Sequence, residues 1–161
     1  MMAFPTNHVA NTLLQRAFKE GRTDVTNMKL QKLMFFLNGW HLAVTGQPAT
    51  QDPFEVWQYG PVIPSLYRKV QEYGRAPISR YIKEFDPRSG SERAFVVHPD
   101  CKKFYEILDA VWEKYIGIDA LRLSTMTHRP GTPWRRAKDE GKSVIPDDYI
   151  REYFVQEALA S

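Results

Sequence analysis

The segment that most restricts what this chain can fold into is Met28–Val44, MKLQKLMFFLNGWHLAV. Leu30, Leu33, Met34, Leu37, His41 and Val44 recur at helical spacing, and Phe36, Trp40 and Ala43 widen the apolar arc. So wide an arc is stable only where other elements cover it, so the segment predicts a central core helix. Asp24-Val25-Thr26-Asn27 offers side-chain oxygens to cap its start. Gly46 and Pro48 end it, the first by allowing a left-handed turn and the second by lacking the N–H that a further turn needs. Its longest apolar run, Leu33–Leu37, is far short of the roughly 20 residues that span a bilayer, and no membrane association is expected.

Other elements must cover that helix. Ala10, Leu13, Leu14, Ala17 and Phe18 form the stripe of a first helix that Gly21 stops, and Phe104, Ile107, Leu108, Val111, Trp112 and Tyr115 form the cleanest stripe in the chain. Phe54–Tyr59 alternates as a short strand, Gly60-Pro61 breaks it, and Pro64 begins a helix reaching about Tyr73. Two further strands, Ser79–Phe85 and Ala94–His98, are joined by the turn-rich segment Asp86–Ser91. A short helix over Asp119–Met126 leads into a loop, Thr127–Trp134, then into a basic helical turn ending near Glu140. A last helix starts at Asp147 with its acids at the positive end of the dipole and Ile150, Tyr153 and Phe154 on its buried side. The expected fold over 1–161 is a single, mostly α (α+β) domain of six to seven helices with a small antiparallel sheet or hairpin at one side.

The search for chemistry narrows quickly. Cys101 is the only cysteine, which excludes an internal disulfide and a cysteine-based zinc site within one chain and suits a reducing, cytoplasmic setting. The start, Met1–Asn11, lacks the basic and then apolar pattern of a secretory signal. No GxGxxG or GxxxxGK[ST] loop is present, and the four histidines lie on separate elements without zincin spacing, so neither cofactor nor metal is expected. His98 and Cys101 could meet at a helix start, although a lone cysteine followed by two lysines reads as incidental. His41, on the core stripe, reads as a core or boundary histidine. His128, in a loop with prolines, a glycine and Trp134, reads either as a held functional imidazole or as a staple fixing that loop to the core. Arg135, Arg136 and Lys138 could meet phosphates or form a solvated face, and a net charge of +3 does not by itself imply nucleic acid.

The order of four motifs is more specific than any of them alone. The run Met28–Phe36, then Gly39-Trp40-His41-Leu42-Ala43 with Gly46, then Glu55–Val62, and finally Leu123-Ser124, Thr127-His128 and Pro133-Trp134 resembles the Panacea domain of SocA-like antitoxins and phage-associated GepA proteins. The resemblance covers about Thr23 to Ala137. It implies a helical bacterial or phage domain that neutralises a cognate protein toxin, encoded by a neighbouring gene, by direct binding, or that delivers its toxin to a protease as an adaptor. Such a protein is not an enzyme. Two alternatives stand beside it: a nucleic-acid-binding regulator of a mobile element, and an enzyme using His128.

The residues expected to carry partner binding or the motif are Trp40, His41, Trp57, Tyr59, Tyr67, His128, Trp134, Arg135 and Arg136. The family often has an acid shortly after the threonine-histidine pair, whereas this chain has Arg129-Pro130-Gly131-Thr132. The stiff segment Trp57–Tyr67, WQYGPVIPSLY, is expected to be a scaffold corner, packed against the central helix near Trp40.

Overall fold

The computed structural model describes residues 3–160. Met1 and Met2, the first residues of the Met1–Asn11 start, lie outside the described residues, as does Ser161. In chain order the elements are α1 (Thr6–Lys19), α2 (Asn27–Thr45), β1 (Glu55–Trp57), β2 (Gly60–Val62), α3 (Pro64–Val70) continued by a 3-10 turn (Gln71–Tyr73), β3 (Glu84–Asp86), β4 (Ser91–Arg93), α4 (Lys102–Tyr115), α5 (Ala120–His128), α6 (Pro133–Asp139) and α7 (Asp147–Ala160). Each strand pair forms its own two-stranded antiparallel sheet, so the domain is a mostly helical α+β fold.

The α2 helix is the axis. Thr26 caps it by accepting a hydrogen bond from the Lys29 N–H, and Gly46 ends it at φ +77°, donating its own N–H to Leu42. Contacts with α1, α3, α4, α5, α7 and β2 surround it. Leu30, Leu33, Met34 and Leu37 are therefore buried, and so are Lys29, Gln31, Lys32 and Asn38 on its other sides. Val44 departs from the expected stripe: it is 58% exposed, because it lies at the rim of an open groove between α2 and α4. All six residues of the α4 stripe are buried as the periodicity requires.

Three local readings need correction. Gly60-Pro61 does not break the strand; it begins β2, and the turn falls one step earlier, at Gln58-Tyr59, with Glu55 opposite Val62, Val56 opposite Pro61 and Trp57 opposite Gly60. The Val56 N–H points away from the pair, to Ser143, so a proline opposite it removes no ladder bond. Next, β3 and β4 occupy only the residues beside the turn. The flanking backbones bond to α1 instead: Asn11 accepts from the Ile82 N–H and donates to the Ile82 and Phe95 carbonyls, and Thr12 accepts from the Val97 N–H. Finally, Thr127 and His128 lie in the last turn of α5 rather than in a loop, because Asp119 caps that helix at Arg122 and it continues to His128. Thr132 then caps α6, with Pro133 in its first turn.

Candidate functional site: a hairpin pinned by three helices

The β1–β2 hairpin touches α2, α5 and α6 through a set of side-chain hydrogen bonds to its backbone. From α6, the Trp134 indole donates to the Trp57 carbonyl at 2.9 Å. From α5, the Ser124 hydroxyl donates to the Tyr59 carbonyl at 2.6 Å, and the His128 ring meets the Gln58 carbonyl through Nε2 at 2.8 Å. From α2, the Lys32 amine donates to the Pro61 carbonyl at 3.1 Å. Gln31 brackets Ile63 from both sides, accepting from its N–H at 2.9 Å and donating to its carbonyl at 3.4 Å. A short two-stranded hairpin is marginal alone, and these bonds add to the antiparallel backbone contact that residues 143–145 make with the outer edge of β1.

Gly60 shows how tightly the hairpin is seated. Its φ is +114°, and a Cβ there would meet Lys32 Cε and Thr127 Oγ1, each at 2.7 Å. Conformation and space both require glycine.

On its outer side the hairpin forms one wall of a groove of about 720 Å³, with α3, the start of α2 and the start of α5 forming the others. Trp57 packs against Tyr67 with ring centroids 5.0 Å apart, Tyr59 is 57% exposed at the lip, and Leu121 stands at the opposite rim. Asn27, Gln31 and Lys32 line the groove from α2. Burial holds the Lys32 amine down at about 7, well below the ordinary lysine value of 10.5. Arg75 is the other cation among the lining residues, and no acid is among them.

The structure thus brings Trp57, Tyr59 and Tyr67 together around one groove and sets His128 and Trp134 behind the hairpin, their rings 4.0 Å apart. His128 is a staple: its Nδ1 faces the Ser124 carbonyl at 2.6 Å while Nε2 faces Gln58, so each nitrogen is engaged with backbone oxygen. Arg135 donates to the His128 carbonyl at 3.2 Å. Arg136 lies over the Tyr149 ring and pairs with Glu152 at 2.9 Å, which ties α6 to α7. These two arginines thus make contacts within the fold.

Trp40 is not beside the hairpin as expected. It donates to the Tyr115 hydroxyl at 2.8 Å, packs edge-on against Phe154, and lines the separate α2–α4 groove with Val44 and Val111. The hairpin meets α2 at Gln31 and Lys32 instead, about two turns earlier. His41 is buried and its Nδ1 faces the Gln47 carbonyl at 2.7 Å, fastening the turn after α2; burial lowers its pKa. His98 and Cys101 meet through backbone only, the Cys101 N–H donating to the His98 carbonyl at 3.0 Å, while the His98 ring accepts from the Asp100 N–H and Cys101, at the start of α4, packs partly buried against the core. Among the described residues no group of three histidines, cysteines or acids could hold a metal, and no helix is long and apolar enough to cross a membrane.

Sequence reasoning overlooked Asn27, Gln31 and Lys32 as groove residues. A signal existed. Phe35, Phe36 and Leu37 place apolar residues all round α2, and a helix apolar on every side is covered on every side, polar residues included.

The family model described as antitoxin SocA-like, Panacea domain matches residues 30–135. The chain is also 34% identical over 127 residues to a protein named Antitoxin SocA from Caulobacter vibrioides (strain NA1000 / CB15N). That match covers 78% of this chain and 66% of the relative, so the chain spans just under two thirds of the relative's length. No solved structure matches the chain.

Proposed function

Because this chain belongs to the antitoxin SocA-like, Panacea domain family, we propose that it is an antitoxin that neutralises a protein toxin by binding it directly. The observation that carries the reading is the pinned hairpin with its aromatic groove. Trp57 and Tyr59 are presented on a hairpin whose carbonyls are already bonded to α2, α5 and α6, and Tyr67 faces Trp57 from α3. Binding to such a surface loses little conformational entropy, and tyrosine and tryptophan supply much of the energy of protein interfaces. The toxin is the product of a gene beside this one.

Co-expression tests the proposal. The neighbouring gene product should arrest growth alone and be harmless when this chain is present, and the two should co-purify. A neighbour that is harmless alone removes the basis of the reading. Delivery of the toxin to a protease predicts more: the toxin's half-life falls when this chain is present, whereas neutralisation by complex formation leaves it unchanged or longer.

A further inference from the structure

Two buried polar residues at the groove are only partly satisfied. Lys32 is 1% exposed, and its amine has the Pro61 carbonyl but no carboxylate among the described residues. Asn27 donates its amide to the Tyr67 carbonyl at 3.4 Å, which fixes its orientation, and its Oδ1 is buried without a donor among the described residues. Both residues line the same groove, beside Trp57 and Tyr67, with Arg75 at its edge and no acid in its lining. A cation bonded only to a carbonyl and an acceptor without a donor, both in one aromatic groove, define a complementary ligand.

We infer that this groove is the toxin-docking surface, and that it receives a segment of the toxin whose carboxylate pairs with Lys32. The inference rests on the antitoxin reading. Charge complementarity selects an acidic segment over a neutral one, since the lining offers two cations and no competing acid. The rings of Trp57 and Tyr67 pack the apolar atoms beside that carboxylate, and the Asn27 acceptor suits a backbone N–H of the same segment. Lys32 is then left without an internal counter-ion because the counter-ion arrives with the partner.

The test uses the purified full chain and the purified product of the neighbouring gene, titrated in a calorimeter. Lys32→Met keeps most of the side chain's length, ending where the lysine Cε does, and removes its charge; Leu121→Glu puts a negative charge on a residue already 68% exposed. Each should weaken binding about tenfold or more, whereas Val44→Glu, on the α2–α4 groove, should change it less than about twofold. Thermal melts establish that each variant is folded, and Leu121→Glu serves if Lys32→Met does not fold. If the parent chain binds and both groove variants bind equally well, the docking site is overturned while the antitoxin reading stands. If only Leu121→Glu weakens binding and folded Lys32→Met does not, the carboxylate contact is overturned. If the parent chain does not bind at all, the antitoxin reading and this inference fall together.

Discussion

Lys29 and Lys32 sit three residues apart on α2, and both are buried. Lys29 lies between the Asp24 carboxylate at 3.0 Å and the Ile116 carbonyl at 2.7 Å, whereas Lys32 reaches only the Pro61 carbonyl at 3.1 Å. The first lysine carries its counter-ion within the fold and ties the α1–α2 connection to the end of α4. For the second, burial lowers the amine to about 7, and no carboxylate among the described residues offsets it. Lys29 has a counter-ion among the described residues and Lys32 has none, and the proposed carboxylate contact turns on that contrast.

The largest effect should come from closing the space that Lys32 occupies. Gly60→Ala adds a Cβ 2.7 Å from Lys32 Cε at a φ of +114°, and overpacking with backbone strain should cost about 3 kcal/mol, read as a lower urea midpoint. If stability is unchanged, the hairpin is not seated on Lys32 as described.

Removing the charge should do the opposite. Lys32→Met should stabilise the free protein by about 2 kcal/mol near pH 6, since an uncompensated buried cation is replaced by an apolar chain. The sign follows from the depressed folded pKa: between about 7 and 10.5 the unfolded amine holds a proton that the folded one does not, so wild-type stability rises with pH across that window. The advantage of methionine should therefore be fully present below 7 and gone near 10.5. Urea titrations of both proteins across that range measure it, and a constant difference would contradict the buried, unpaired state of Lys32.

On the paired side the change is smaller and of opposite sign. Asp24 is drawn down to about 2, chiefly by its hydrogen bond to Arg22 and further by Lys29. Its folded pKa lies below the unfolded value of 3.8, so its contribution is present above 3.8 and is lost as pH falls toward 2. Because the Asp24 side chain is 46% exposed, solvent screening reduces the effect, and Asp24→Asn should cost about 1 kcal/mol at pH 7. That cost should disappear in acid, which a comparison of melts at pH 7 and pH 2 will show.

The smallest effect on stability belongs to the groove's lip. Tyr59→Ala removes a side chain that is 57% exposed and should alter stability by less than about 0.5 kcal/mol. Lost neutralisation by a variant that melts normally would assign the Tyr59 ring to the contact surface. Unchanged neutralisation would return the whole segment to a scaffold role.

Much of the fold was legible because its signals are local. The α2 and α4 stripes, the Thr26 and Gly46 caps of α2 and the Pro64 helix start are read from residues within one or two turns of each other. The misread places are those where a distant partner decides. Pro61 joins a strand because Val56 bonds outward to Ser143, and the segments around β3 and β4 leave their ladder because Asn11 and Thr12 take their hydrogen bonds. The groove was half legible: its aromatics stood out by composition, but its polar base did not.

By itself the sequence determined that α2 must be covered, where it starts and stops, and that the chain carries the Panacea motifs. Only the tertiary structure decided that Trp40 and the hairpin belong to different grooves, that both His128 nitrogens face carbonyl oxygens, and that Lys29 and not Lys32 receives a carboxylate. The reason is physical. Periodicity and capping depend on neighbours along the chain, whereas the state of a buried polar group depends on which remote backbone or side chain comes within hydrogen-bonding reach, and for Lys32 that group lies 29 residues away.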